Sequence, residues 1–214
     1  MLLHKVLEIR NLSSSTYGLR LERKNFIFQP GQCVNLGTRG SGVNREYSTY
    51  SGTQDPYLEF LIKEVKAGAL SPKLRLVRPG DEVELHGPYG SFTIDPEKAN
   101  HDRFVFIGTG TGIAPFHSFV KSFPGLKYKL IHGIRNLSEQ YDYDDFDPSN
   151  IACCVSRNSG GDFNGRVTGY LQQNSVDPEN IFYLCGNQKM IQEVYDLLRN
   201  KGISGDQIFT EAFF

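Results

Sequence analysis

The sequence predicts two domains of different class: an antiparallel β-barrel over residues 1–97 and a doubly wound α/β domain with a parallel sheet over residues 98–214. Three observations predict this. Up to about Asp95 the chain runs in short apolar stretches separated by glycine and proline turns, the rhythm of a small antiparallel barrel. Beyond Arg103 the period changes to continuous apolar runs alternating with helical patterns, as in a parallel sheet covered on both faces. A length of 214 residues suits one large domain or two of roughly 100 each. The boundary falls in the polar stretch between Asp95 and Arg103.

In the first region, Val6, Glu8 and Arg10 alternate with Leu7, Ile9 and Asn11. Further strands are expected at Phe26-Ile27-Phe28, Cys33-Val34-Asn35-Leu36, Leu58-Glu59-Phe60-Leu61-Ile62 and Glu82-Val83-Glu84-Leu85. Turns stand between them at Pro30-Gly31, residues 37–42, Asp55-Pro56, Pro79-Gly80-Asp81 and Gly87-Pro88-Tyr89-Gly90. One helix is expected here, over 70–77, with Leu70, Leu74 and Val77 on one face. The second region opens with the strand Phe104-Val105-Phe106-Ile107. A helix follows, carrying Ile113, Phe116, Phe119, Val120 and Phe123, with Pro115 in its first turn where proline is tolerated. Lys129-Leu130-Ile131-His132, Ile151-Ala152-Cys153-Cys154-Val155 and Ile181-Phe182-Tyr183-Leu184 are further strands, with helical segments between them. Met190, Ile191, Val194, Leu197 and Leu198 form the stripe of the last helix.

Composition excludes several functions. The formal net charge of -1 argues against a general nucleic-acid binder. No apolar run approaches the length of a membrane span, and the N-terminus enters an alternating pattern without signal-peptide architecture, so a cytoplasmic protein is expected. The cysteines Cys33, Cys153, Cys154 and Cys185 make no Cys-x-x-Cys pair or ferredoxin-like spacing, and the five histidines give no zinc pattern. No metal is expected, and any redox cofactor is organic.

Three stretches carry chemistry. In Arg45-Glu46-Tyr47-Ser48-Thr49-Tyr50-Ser51 a cation, an aromatic ring and a hydroxyl follow one another. On a strand, Arg45 and Tyr47 share one face and Ser48 takes the other. This set suits a flavin nucleotide, with a guanidinium for phosphate and a flat ring for the isoalloxazine; it equally describes an edge strand with a solvated arginine. Gly108-Thr109-Gly110-Thr111-Gly112-Ile113-Ala114-Pro115 lies where a dinucleotide turn belongs, after a buried strand and opening a helix. Its third glycine comes one residue early for G-x-G-x-x-G, and any glycine-rich turn of an α/β fold looks similar. Gly68-Ala69-Leu70-Ser71-Pro72 is a second helix start that suits an anion or a bare cap.

The order Arg-x-Tyr-Ser, Gly-x-x-Ser, Gly-Thr-Gly-Thr-Gly-Ile-Ala-Pro and Cys-Gly-Asn resembles the ferredoxin–NADP reductase family, in detail its bacterial subclass. The resemblance implies a barrel that holds FAD and an α/β domain that holds NADP(H). Carried over by position, it assigns Arg45 to the flavin phosphate, Tyr47 to the isoalloxazine and Ser48 to the neighbourhood of flavin N5, with Glu46 in the same set. Gly68, Ala69, Leu70 and Ser71 cradle the pyrophosphate, and the backbone of Ile62 and Lys63 touches the flavin or ribityl chain. Gly110, Thr111, Gly112, Cys185 and Gly186 meet the nicotinamide dinucleotide, Thr111 also lying beside the flavin. Phe213 and Phe214 cover the flavin face opposite Tyr47, a departure from the tyrosine and tryptophan usual there.

The implied activity is hydride transfer between NADPH and flavin N5, with single electrons passed to or from ferredoxin or flavodoxin. Ser48, Cys185 and Glu211 bracket the reacting atoms, and Glu211 handles the N5 proton through Ser48. Arg135, Ser156, Arg157 and Arg166 match positions that bind the 2′-phosphate of NADP; an NAD enzyme typically has an acid at the ribose instead. A monomer is expected; the acidic stretch 139–147 is a solvated loop or helix face, or else excludes acidic ferredoxins and leaves docking to Lys63, Lys66, Lys73, Arg75 and Arg78 of the barrel. The competing readings are a reductase for an oxygenase, a cytochrome or free flavin, and an interaction protein that has lost its flavin.

Overall fold

The computed structural model describes residues 2–213. The chain divides into two compact units, one comprising Met1–Thr93 with Ala114–Ser122 and the other Ile94–Ile113 with Phe123–Phe214.

The first unit contains the strands β1 (Leu2–Asn11), β2 (Thr16–Glu22), β3 (Cys33–Thr38), β4 (Asn44–Ser48), β5 (Tyr57–Lys63) and β6 (Glu82–Tyr89) and the short helix α1 (Ser71–Arg75). They form one antiparallel sheet in the order β4-β3-β6-β1-β2-β5, and a bridge from Thr49 to Phe60 ties its two ends together. Alternation builds the interior: Leu19 and Leu21 of β2, Val34 and Leu36 of β3, Leu58, Phe60 and Ile62 of β5, and Val83 and Leu85 of β6 belong to one buried cluster. Each such side chain stabilises the unit by roughly 1.5–3 kcal/mol relative to exposure. On the outer side Glu59 is buried between Arg10, 3.0 Å away, and Arg20, 3.1 Å away. Gly18 makes room for it, since a Cβ there would lie 2.6 Å from the Glu59 carboxylate.

Three expectations for this region are corrected. Phe26-Ile27-Phe28 is not a strand; Phe26 and Phe28 are buried and Ile27 is exposed, so the alternation is kept in irregular backbone that ends at Pro30. Strand β2, absent from the expected set, lies central in the sheet between β1 and β5. The expected helix over 70–77 is a single short turn, Ser71–Arg75.

The second unit contains β7 (Arg103–Thr109), β8 (Lys127–Ile134), β9 (Ile151–Val155), β10 (Phe163–Asn164), β11 (Ile181–Asn187) and β12 (Ile208–Phe213), all parallel, in the order β10-β9-β8-β7-β11-β12. The chain builds outward from β7 on one side and then returns to its other side with β11. The carboxyl end of β7 is therefore the topological switch point, where doubly wound sheets bind ligands. Helices α2 (Pro96–Ala99), α4 (Val167–Gln173) and α5 (Gln188–Asn200) accompany the sheet. Asn187 caps α5, its side chain accepting from the N–H groups of Lys189 and Met190. The helix after β7, α3 (Ala114–Ser122), packs in the first unit: the His117 ring stacks on Tyr50 at 3.8 Å and its Nδ1–H donates to the Tyr50 carbonyl.

Between β8 and β9 the expected helix is replaced by short 3-10 turns at Leu137–Glu139, Tyr143–Asp145 and Pro148–Asn150. The segment is rich in aspartate, which favours turns and caps over helix interiors, and it contains Pro148. The C-terminal stretch is a sixth parallel strand, β12, that the sequence pattern did not announce.

Candidate functional site

In the first unit, β4 presents the Arg-x-Tyr-Ser stretch along β3. Tyr47 pairs with Val34 and Arg45 with Leu36, so both lie on one face of the pleat. Tyr47 is half-buried against the barrel core, and burial pushes its hydroxyl up to about 12, so it stays a neutral phenol. Arg45 and Glu46 are exposed; the Arg45 guanidinium donates to the neighbouring Asn44 carbonyl and makes no ion pair among the described residues. Ser48, opposite Cys33, is only 4 % exposed.

The Gly68 turn follows β5. Ile62 is buried opposite Tyr17, and Lys63 is exposed opposite Thr16. The Gly68 N–H donates to the Val65 carbonyl at 2.7 Å, and the Val65 N–H donates to Ser71 Oγ at 3.0 Å, which closes the turn on itself. From below, the buried Tyr17 hydroxyl donates to the Ser71 carbonyl at 2.6 Å. A Cβ on Gly68 would meet the Val65 carbonyl at 2.9 Å, so the glycine is required by the turn itself. Ala69 is exposed and Leu70 is buried. Arg75 is engaged with Glu64 at 2.8 Å and with Asn11.

In the second unit, the parallel register brings the remaining candidates to one sheet edge. Cys185 pairs with Gly108 on one side and Glu211 on the other. The Cys185 thiol is fully buried and lies 3.9 Å from the Glu211 carboxylate. Burial and that carboxylate push its pKa well up, so it remains a thiol, a donor rather than a nucleophile. Phe213 is half-buried on β12, opposite Asn187, and Phe214 lies outside the described residues.

The glycines of the β7 turn divide by role. Gly112 and Gly186 serve packing: a Cβ on Gly112 would lie 2.3 Å from the Cys185 carbonyl oxygen, and one on Gly186 would lie 2.7 Å from Thr109 Oγ1. Gly110, with φ of +55°, faces open space, and Thr111 beside it is half-buried. Of the residues expected to approach a dinucleotide, Gly110 is thus the one whose missing side chain leaves room.

Arg135, Arg157 and Arg166 are all exposed, and none makes an ion pair among the described residues. The Arg157 N–H donates to the Arg135 carbonyl at 3.2 Å, which sets the first two side by side at the ends of β8 and β9. Ser156 directs its hydroxyl to the Ile134 carbonyl. Unpaired guanidinium groups at the carboxyl edge of the sheet suit a phosphate-bearing ligand.

His132 escaped the sequence reading. It is fully buried beneath the β7 turn, its Nε2 2.8 Å from the Gly110 carbonyl and its Nδ1 2.8 Å from the Tyr143 hydroxyl. Desolvation pushes its pKa down to about 4. A lone histidine at the end of an apolar strand gave no signal of this.

A barrel and a doubly wound sheet, each with a glycine turn opening a helix, suit an oxidoreductase that binds a flavin and a nicotinamide dinucleotide. Residues 3–94 match the oxidoreductase FAD-binding domain, and residues 106–196 match the oxidoreductase NAD-binding domain. The chain belongs to the ferredoxin–NADP reductase family. It is 30% identical to the toluate 1,2-dioxygenase electron transfer component of Pseudomonas putida, over 96% of this chain but only 65% of that protein. The chain is 27% identical to the flavodoxin/ferredoxin–NADP reductase of Escherichia coli, over 88% of this chain and 86% of that one. A ferredoxin NADP+ reductase from Neisseria gonorrhoeae, solved with FAD and NADP bound, shares the fold with a TM-score of 0.88 at 23% identity, over 100% of this chain and 98% of that one. No helix among the described residues is long and apolar enough to cross a membrane.

Proposed function

We propose that the chain is an NADPH-dependent ferredoxin or flavodoxin reductase with FAD as its resident cofactor. The observation that carries the choice of NADPH is the trio Arg135, Arg157 and Arg166, exposed and without ion-pair partners among the described residues at the carboxyl edge of the sheet. The match across most of the Escherichia coli flavodoxin/ferredoxin–NADP reductase supports the choice of partner.

The two cofactors supply hydride exchange between nicotinamide and flavin N5 and the release of electrons singly. The chain binds and orients. Arg45, Glu46, Tyr47, Ser48, Ile62, Lys63 and the Gly68–Ser71 turn hold FAD, and Gly110, Thr111, Gly112, Cys185 and Gly186 hold the nicotinamide dinucleotide. The neutral Cys185 thiol fixes one oxygen of Glu211, leaving that carboxylate to accept or return a proton relayed by Ser48. Phe213 shields the flavin. The protein acts as a monomer in the cytoplasm and docks an acidic one-electron carrier through Lys63, Lys66, Lys73 and Arg78.

The test is Arg157→Ala and Arg166→Ala assayed with both dinucleotides. Loss of one charge-assisted contact costs roughly 1.5–3 kcal/mol, or about 10- to 150-fold in NADPH efficiency, with NADH efficiency nearly unchanged. Equal losses with both, or a wild type that prefers NADH, sink the assignment.

A second reading, a reductase component for an oxygenase, is favoured by the 30% identity to the toluate dioxygenase component. NADPH-driven reduction of the host's ferredoxins and flavodoxins, set against cytochrome and free-flavin acceptors, separates the two. A chain that stays colourless after FAD is added fails both and points to an interaction protein.

A further inference from the structure

We propose that His132 is a positioning residue for dinucleotide binding: its imidazole fixes the Gly110–Thr111 peptide so that the Thr111 N–H faces outward as a donor to the bound dinucleotide.

The argument starts at the Gly110 carbonyl. A carbonyl oxygen only accepts, so the His132 nitrogen 2.8 Å from it, Nε2, carries the proton. The other nitrogen, Nδ1, is then a lone pair and accepts the Tyr143 O–H at 2.8 Å. The Gly110 carbonyl selects one tautomer and the Tyr143 hydroxyl complements it. Burial keeps the ring neutral, so the arrangement holds across the physiological range.

A trans peptide is planar, with its C=O and N–H pointing in opposite directions. With the Gly110 carbonyl turned down onto the buried ring, the Thr111 N–H of the same peptide points away from it. Thr111 is the second residue of the 3-10 turn Gly110–Ile113, a position with no acceptor inside the turn. Gly110 itself does not choose this orientation. With no side chain and a φ of +55°, it sets no side-chain limit on the direction of the following peptide. The other end of the turn is fixed differently, by Gly112 pressed on the Cys185 backbone. His132 therefore reinforces the Gly110–Thr111 peptide alongside the turn's own i→i+3 bonding, and Tyr143 ties that support to the 3-10 segment following β8.

The inference rests on the reading that this sheet edge binds a nicotinamide dinucleotide, and it has a signature of its own. The arginines distinguish NADP from NAD, whereas a backbone donor serves whatever the two dinucleotides share. The experiment is calorimetric titration of the oxidised, FAD-loaded protein with NADP+ and with NAD+, without turnover. Gln places its amide nitrogen where Nε2 stands; Asn places its own near Nδ1, too short to reach Gly110. His132→Leu and His132→Asn are expected to weaken both dinucleotides about tenfold, the scale of one well-placed hydrogen bond. His132→Gln is expected to stay within about threefold of wild type, and Tyr143→Phe, which keeps the ring and the fold, to weaken both about two- to fivefold.

Gln and Asn variants that bind alike overturn the proposal, as does a loss confined to NADP+ or a Tyr143→Phe protein indistinguishable from wild type. Wild-type protein that binds neither dinucleotide overturns the underlying reading as well. A purely structural role for the ring predicts parallel losses of melting temperature and binding in all variants, with no rescue by Gln.

Discussion

Two glycine turns open helices in this chain, one per unit, and they are supported in opposite ways. The Gly68 turn is closed from within: its own N–H groups and Ser71 hydroxyl complete the bonds, and a phenol from the barrel floor grips the Ser71 carbonyl. The Gly110 turn, a 3-10 turn with its own i→i+3 bonds, leans on its neighbours as well. It is pressed by the backbone of β11 at Gly112 and held by an imidazole from β8 at Gly110. A self-closed turn keeps its shape when its surroundings shift, whereas a turn held by neighbouring strands is only as fixed as those strands. The same local sequence cue, glycine before a helix, therefore hides two engineering solutions.

The largest expected break of this comparison is Gly112→Ala. The added Cβ would lie 2.3 Å from the Cys185 carbonyl oxygen and 2.8 Å from the Gly186 Cα, backbone that cannot step aside. Overpacking of this severity costs about 3 kcal/mol. A thermal melt should show the loss, together with weakened dinucleotide binding. Melting within a degree or two of wild type means that β11 yields and is not the clamp.

Acid distinguishes the two turns by the groups that hold them. The His132 pKa falls from 6.5 to about 4 in the fold. Between those values the unfolded chain binds a proton that the folded chain refuses. This contribution is complete above pH 6.5 and is lost progressively as pH drops toward 4, by roughly 3 kcal/mol in all. The groups facing the ring do not offset it: burial pushes Tyr143 up and keeps it neutral. The Gly68 turn has no counterpart, since Tyr17 is also pushed up and does not titrate in acid. Stability measured from pH 7 to 4 should therefore fall less steeply in His132→Gln than in wild type; equal slopes remove His132 as the acid-sensitive grip.

These supports explain what the sequence disclosed. Alternating apolar residues in β3 and β5 and the continuous run in β7 disclosed both fold classes, because burial acts directly on residue type. β2 was just as regular, with Tyr17, Leu19 and Leu21 buried, but Arg20 and Glu22 interrupt its apolar character because they face the outer side. Glycines at 68 and 110–112 marked the turns. Their supports were not legible, since Tyr17 lies 54 residues from Ser71 and His132 lies 22 from Gly110. Such contacts exist only once the sheets have formed. The C-terminal strand β12 was missed for a related reason: Thr210-Glu211-Ala212-Phe213 carries a half-exposed edge pattern that becomes a strand by pairing with β11.

A smaller effect is expected from Tyr17→Phe, which keeps the ring and removes the donor to the Ser71 carbonyl. Leaving a buried acceptor without its partner costs about 1–3 kcal/mol. Because the turn also closes on itself through Val65 and Ser71, the loss should appear mainly in barrel stability and only weakly in FAD affinity. A flavin that dissociates freely from Tyr17→Phe, with the melt unchanged, would show that the phenol and not the turn's own bonds sets its shape.

The smallest effect, and the sharpest contrast with Gly112, is Gly110→Ala. The two glycines stand two residues apart in one turn, yet a Cβ on Gly110 meets nothing within 4 Å. Only the backbone conformation objects: φ of +55° is left-handed, which costs an alanine about 1 kcal/mol. The fold should survive with a small fall in melting temperature. If the proposed reading of the edge is right, the methyl group projects where the dinucleotide approaches, so binding of NADP+ and NAD+ should weaken by more than the stability loss accounts for. A protein that melts slightly lower but binds both dinucleotides unchanged would move the ligand away from Gly110 and leave the turn as architecture alone.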